Sequence, residues 1–192
     1  MLFGMHGCHR VMHQLALVLR QKWRAMHYSL RFLSLQPLSN EQRIAQMIAR
    51  FNEQSGREVI ELPHWHFCDN EQDANDCALL VLNGVKQATT PSLYWFKANN
   101  EALPQVGDLA IFTNWQGQPL GIIETVLVTI TAFNQISADY AVLEGEGDKS
   151  LEFWQRVHWD YYQRELAGTE YQCHPDMPLV CEQFKLVFKE SE

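Results

Sequence analysis

From about Gly107 onward the apolar residues recur at every second position, whereas upstream they recur at helical spacing. That change of period constrains the fold more than any other feature. Strands are predicted over Asp108–Thr113, Gly121–Ile130 and Gln183–Phe188, with Asn114–Pro119 as the loop between the first two. Between the second and third lies a predicted helix, Leu151–Leu166, which Asp148 or Ser150 can cap. Its Phe153, Trp154, Trp159, Tyr161 and Tyr162 fall on more than one arc, so this helix is expected to be clamped between the sheet and another element. Upstream, the capping box Ser39-Asn40-Glu41-Gln42 opens a helix whose Ile44, Met47, Ile48 and Phe51 share one face, and Ser55-Gly56 stops it. A second helix is predicted over Glu71–Leu82, with Ala74, Cys77, Ala78 and Val81 inward and Asn83-Gly84 as its left-handed end. In 192 residues this describes one α+β domain with a short appendage.

The appendage is residues 1–38. It holds Arg10, Arg20, Lys22, Arg24 and Arg31 and no acid, and is expected to be a disordered or weakly helical tail. An amphipathic membrane-surface or transit segment is the alternative. Residues 39–192 then carry 10 basic against 23 acidic side chains, a net charge of −13. So acidic a domain gains little from counterion release, which disfavours tight, salt-sensitive binding to long RNA and leaves no expectation of DNA. A pocket for one small polar ligand stays open. No apolar run approaches the roughly 20 residues of a bilayer span, so no membrane partner is expected. Five cysteines without a close CxxC pair argue against a secreted disulfide framework and place the chain in reducing cytoplasm.

Five groups of residues have chemistry to offer. Lys86 follows the Gly84 turn, three residues before the Thr89 hydroxyl; it is either a solvent-facing loop lysine or a group that leans over a pocket. Glu124 lies on the strand face of Ile122, Val126 and Val128, where it either pairs with a cation or points into a polar pocket. Glu144-Gly145-Glu146-Gly147-Asp148 reads as a solvated turn or, less in keeping with its spacing, a site for a hard cation. His64, His66 and Cys68 would share one face if extended, but have no second half at zinc spacing. Tyr94, Trp95 and Trp115 offer either core packing or stacking surfaces for a base. There is no Walker loop, GxSxG, HExxH or dinucleotide fingerprint, and neither cofactor nor metal is expected.

Six short segments occur together and in order: Trp65-His66-Phe67-Cys68-Asp69, Gly84-Val85-Lys86-Gln87-Ala88-Thr89, Leu103-Pro104-Gln105-Val106-Gly107-Asp108, Ile123-Glu124-Thr125, Glu144 to Asp148, and Asp176-Met177-Pro178-Leu179-Val180-Cys181-Glu182. Over about residues 64–188 this combination resembles the ASCH-domain family, in its longer bacterial branch. The departure is Cys68, where that branch usually has glycine. The resemblance implies a small PUA-like β-barrel with helices packed around its mouth, and a cleft lined by the Gly-x-Lys loop that binds RNA or a nucleoside. Lining it would be Gly84, Thr90, Tyr94, Trp95, Trp115, Glu124 and Glu146. Related small ASCH proteins include amidohydrolases acting on N4-acetylcytidine, and some members act as ribonucleases. In the amidohydrolase branch a lysine, a threonine three residues later and a glutamate in an Ala-x-x-Glu segment form the catalytic set. These match Lys86, Thr89 and Glu144, the last within Ala141-Val142-Leu143-Glu144. For such chemistry a lysine desolvated in the cleft would be partly neutral and serve as base, while a sheltered Glu144 would keep a proton for the leaving amine.

Overall fold

A computed structural model describes Lys22 and residues 37–190, and the chain divides into the units Met1–Ser39 and Asn40–Glu192. The expected tail lies almost wholly outside the described residues. The sheet and five helices belong to the second unit: α1 (Asn40–Ser55), β1 (His64–Trp65), α2 (Glu71–Leu82), β2 (Ala88–Thr89), α3 (Leu93–Asn99), β3 (Leu109–Thr113), β4 (Pro119–Ala132), α4 (Ala138–Glu144), α5 (Leu151–Glu165) and β5 (Pro178–Lys189). A single turn of 3₁₀ helix, Phe133–Gln135, follows β4.

The long β4 and β5 pair antiparallel from Gly121 opposite Lys189 to Ala132 opposite Pro178. Both begin on a proline, which the first residue of a strand tolerates because no ladder donor is needed there. That is why each extends beyond its sequence-predicted start. β3 returns along β4, and β1 and β2 complete the order β1-β3-β4-β5-β2, with only the β1–β3 pair parallel. The α+β class holds, and where a small PUA-like β-barrel is expected the described residues form a five-stranded sheet that is not closed. The terminal strands are two residues each, too short to seal one edge to the other.

The ladder between β4 and β5 shifts register between Ile122 and Ile123 and again between Thr125 and Leu127. These irregularities break the alternation of inner and outer faces. Gly121, Ile122 and Ile123 are buried in succession, and Val126 and Leu127 are both exposed. A strict period of two through Glu124 therefore does not hold.

Three apolar clusters cover the sheet. Met47, Ile48 and Phe51 of α1 pack with Leu62, Ile111 and Ile122. Cys77, Ala78 and Val81 of α2 pack with Phe67, Phe112, Ile123 and Phe184. In the third, Trp154 and Tyr162 of α5 meet Tyr140 and Ala141 of α4, Leu179 and Cys181 of β5, and Met177 just before that strand, so α5 is held between sheet and helix as its aromatic arcs predict. The short α3 and α4 start on Ser92 and Ser137, whose hydroxyls accept from the Trp95 and Tyr140 N–H groups. Each has only seven residues, too few to register as a helical period.

Gly121 sits where β4 crosses the Phe112 ring; a Cβ there would lie 2.6 Å from the Phe188 carbonyl oxygen and 2.8 Å from that ring. The ring can turn, but the carbonyl cannot retreat without opening the β4–β5 ladder. Gly121→Ala is expected to cost about 1–3 kcal/mol in urea unfolding; an unchanged midpoint would show that the ladder gives freely.

Candidate functional site

The site grows from the end of α2. Gly84 adopts φ +68°, and the N–H groups of Val85 and Lys86 both donate to the Leu80 carbonyl, at 2.8 and 3.1 Å. The chain then threads between α4 and β5: Gln87 N–H donates to the Leu143 carbonyl and accepts, at its own carbonyl, from Phe184 N–H. This carries the Lys86 side chain into the interior, where it is 3% exposed. From the other side α4 ends on Glu144, 1% exposed, and turns on Gly145 at φ +72°. A Cβ on Gly145 would stand 2.6 Å from the Val85 carbonyl oxygen, so glycine is what lets the lysine and glutamate segments touch.

Lys86 Nζ lies 2.5 Å from Glu144 Oε2 and 2.5 Å from Glu146 Oε1, with the Phe67 ring 5.5 Å beneath it. The other oxygen of Glu144 accepts from the Thr90 hydroxyl and from Trp154 Nε1–H at 3.2 Å, and faces His158 Nε2 at 3.5 Å. The His158 ring stacks on Trp154 at 4.1 Å and its Nδ1 is 3.0 Å from the Trp154 carbonyl; a carbonyl only accepts, so Nδ1 carries a hydrogen. Tyr140 OH donates to the Thr89 carbonyl at 3.2 Å, and Tyr162 OH to the Thr90 carbonyl at 2.6 Å. Cys77 Sγ–H donates to Glu146 Oε1 at 3.4 Å.

Protonation follows from these neighbours. Burial pushes the Glu144 carboxyl up, but Lys86 and then His158 draw it down further, and it rests well below the usual carboxylate range. Burial weakens the Lys86 ammonium, yet Glu144 and then Glu146 hold its proton well above the ordinary lysine range. Tyr140 and Tyr162 are pushed up, first by burial and next by Glu144. Both protonation states expected from the sequence are thereby corrected. Lys86 is an ammonium rather than a partly neutral base, and Glu144 is a carboxylate rather than a stored proton. Either group alone would neutralise in so dry a place, but each is the other's counter-ion.

The sequence-predicted residues divide into two sets. Lys86, Glu144, Glu146 and Thr90 form one connected cluster, which Gly84 and the Thr89 carbonyl join through the backbone. The Thr89 side chain is half-buried on β2 and makes no hydrogen bond among the described residues. Glu124 is engaged elsewhere, 2.5 Å from Arg57 and 2.9 Å from Lys185; Lys185 and then Arg57 hold its carboxyl below the usual range. Tyr94 stacks on Tyr171 at 4.5 Å and meets His174 at 3.0 Å. Trp95 sits edge-on to Phe96, and Trp115 packs on His66 at 4.6 Å. Sequence reasoning passed over Tyr140, Trp154, His158 and Tyr162. The signal was there in α5, where residues 154, 158 and 162 recur every four positions and line one helix face. Among the described residues no group of His, Cys, Asp and Glu is arranged to hold a metal ion, and no helix is long and apolar enough to cross a membrane.

The ASCH domain model matches residues 63–188, and the chain belongs to that family. Two solved structures are similar over most of their length. One is the ASCH domain from Lactobacillus crispatus JV V101, with TM-score 0.72 and 36% identity, covering 80% of this chain and 98% of that one. The other is protein EF3133 from Enterococcus faecalis V583, with TM-score 0.71 and 32% identity, covering 77% and 89%. No curated protein matches the chain.

Removing one partner from the buried pair leaves the other charge uncompensated. Lys86→Met is expected to cost about 3–5 kcal/mol in urea unfolding, and Lys86→Met with Glu144→Gln to recover most of it. Equal losses in the single and double variants would show that the pair is not coupled.

The pair also sets a pH window. Glu144 titrates in the fold below its ordinary 4.5, so its contribution is complete above that pH and is lost as pH falls. Lys86 titrates above its ordinary 10.5, so its contribution is complete below that pH and is lost as pH rises. Unfolding followed from about pH 5 to about pH 3 should therefore steepen in the wild type relative to the double variant; parallel curves would exclude Glu144 as a source.

Proposed function

We propose that the Gly84–Lys86 loop and Glu146 line a cleft that binds a nucleoside, free or within RNA, and that favours bases carrying an exocyclic amine, such as cytidine. The observation that supports this is Glu146. Within the ion cluster the Lys86 and Glu144 side chains are 2% and 1% exposed, whereas Glu146 is 19% exposed and offers its carboxylate outward. An ionised carboxylate is the natural acceptor for the N4 amine of cytosine. Lys86 holds that carboxylate from behind, and Phe67 underlies Lys86. The adjacent His66 packs on Trp115 of the β3–β4 loop, a residue 37% exposed that offers a stacking face. A site of one cation and two carboxylates suits a base better than a run of phosphates, in keeping with the acidity of residues 39–192.

A second reading is supported by the Thr90 hydroxyl, which donates to a carboxylate beside a fixed ammonium, and by the unengaged hydroxyl of Thr89, the residue before it at the end of β2. In it the chain is an amidohydrolase for N4-acylated cytidines. Lys86 as an ammonium would polarise the amide carbonyl rather than act as base. Thr89 would attack the acyl carbon as the C–N4 bond breaks; Glu144, its bond to Lys86 loosened by substrate, would take the hydroxyl proton and pass it to the leaving amine, and water would then release the acyl group from Thr89 as a carboxylic acid.

Because Lys86 variants threaten the fold, Glu146→Ala is the sharper probe. Binding of cytidine and N4-acetylcytidine, followed by calorimetry, should weaken about tenfold or more in this variant, the loss expected for a hydrogen bond to a charged acceptor. Structured RNA should bind with a shallow salt dependence. Wild-type protein that binds none of these ligands, or a Glu146→Ala variant that binds them as tightly as wild type, would end the binding reading. Deacetylation followed by mass spectrometry, lost in Thr89→Val with binding kept, would establish the hydrolase; no turnover by wild type would remove it.

A further inference from the structure

Cys68 and Cys77 lie with their sulfurs 3.6 Å apart, both as free thiols. Cys68 is half-buried in the loop between β1 and α2, while Cys77 is buried on the inner face of α2. Cys68 has φ +58°, a left-handed conformation that side chains other than glycine and asparagine rarely adopt. A residue with a Cβ is unfavourable there, yet the conformation brings its sulfur onto Cys77. The loop is fixed on both sides of it. Phe67 is 4% exposed in the core, and Asp69 takes a two-pronged contact from Arg164 of α5, at 2.6 and 3.1 Å. Asn70 caps α2 by accepting from Asp73 N–H. Cys77 is held in turn by its helix and by its bond to Glu146. The two sulfurs are thus presented to each other by rigid surroundings.

We propose that Cys68 and Cys77 are a reversible oxidation site that closes to an intramolecular disulfide. A peroxide is the oxidant by class. The Cys68 thiol, the more exposed of the two, attacks a peroxide oxygen and becomes a sulfenic acid, the O–O bond breaks and one water leaves. The Cys77 sulfur then attacks the Cys68 sulfur, the S–S bond forms, the S–O bond breaks and a second water leaves. Two electrons pass from the thiols to the peroxide. The proton of Cys77 has an acceptor in place, since Glu146 Oε1 is 3.4 Å from the sulfur. Without that outlet Cys77 would be a poor partner, because its contact with Cys68 and then its burial push the thiol up.

Closure has a consequence for the cleft. Glu146 Oε1 is shared between Lys86 and Cys77, and in the disulfide Cys77 no longer has a proton to give. The outward carboxylate loses one of two tethers. That consequence rests on the nucleoside-binding reading; the disulfide itself does not.

The test uses the full chain, reduced and then exposed to hydrogen peroxide at stoichiometric amounts. The intact mass should fall by two hydrogens, and non-reducing digestion should yield Cys68 linked to Cys77, released by dithiothreitol. Cys68→Gly, which suits the positive φ and keeps the fold, should lose the link. Cys77→Ala should leave a Cys68 sulfenic acid that dimedone traps. Oxidation of Cys68 without a link in the wild type, a link to any other cysteine, or no reaction would overturn the site. Cytidine affinity should fall about threefold on oxidation, the loss of one weak donor to Glu146. A disulfide that forms with affinity unchanged would refute control of the cleft while leaving the oxidation site standing.

Discussion

The buried contact between Lys86 and Glu144 is the constraint to which the rest of this domain is fitted. Two desolvated charges persist only if their remaining hydrogen-bonding capacity is met, and here every nearby element contributes. The segment just after β2 brings the Thr90 hydroxyl, α5 brings the Trp154 indole and His158, and the turn after α4 brings Glu146. The backbone has to approach closely for this, which is why glycine follows Glu144 and why the chain at Val85 and Lys86 shares one carbonyl of α2. The aromatic weight of α5 then has a second purpose besides core packing: its inner face excludes water from the pair while supplying two ring nitrogens to it.

Charge placement elsewhere obeys different rules. Glu124 sits on a strand as hydrophobic as any in the chain, but its partners Arg57 and Lys185 are themselves exposed, so it keeps its charge at the rim of the fold. Glu165 illustrates the opposite case. Burial pushes its carboxyl up; the Ser92 hydroxyl, 2.5 Å from one oxygen, then Tyr161 and more weakly His158 pull against that without reversing the balance, and among the described residues no lysine or arginine is paired with it. Comparable carboxylates on one small domain thus divide by whether a cation shares their burial.

Much of the architecture was legible in the residues. The bounds of α2, the apolar face of α1, the start of α5 at the Ser150 cap and the existence of β3, β4 and β5 all follow from spacing and capping. The convergence of the Gly84–Thr90 loop with the acidic run after Ala141 is also implied by their shared membership of one family pattern. What could not be read has physical causes. The seven-residue α3 and α4 carry too few turns to show a period. The register shifts in β4 decouple sequence parity from sheet face, so the alternation that put Glu124 beside Ile122 and Val126 does not survive. Protonation was the largest departure, because a lone buried lysine and a lone buried glutamate each neutralise, and only proximity of the two reverses that outcome. No property of either residue taken singly records it.

The open sheet has a consequence for how this chain behaves among copies of itself. A sheet that does not close has two edges, and an edge is a template on which a foreign strand can grow. Here the strands at both ends are two residues long, and the outer side of β5 beyond β2 is taken up by the segment after Lys86, where the Gln87 and Pro91 carbonyls accept from Phe184 and Val180 N–H. β3, however, covers β4 only as far as Glu124, with Thr125 tied to Asp108, so the margin of β4 from Val126 to Ala132 is left as a long stretch of edge among the described residues. An incoming strand could pair along that stretch and would there meet a domain of net charge −13. Resistance to edge-to-edge aggregation, which barrels obtain by closure, rests here on short terminal strands and on repulsion, and is weakest along the far half of β4.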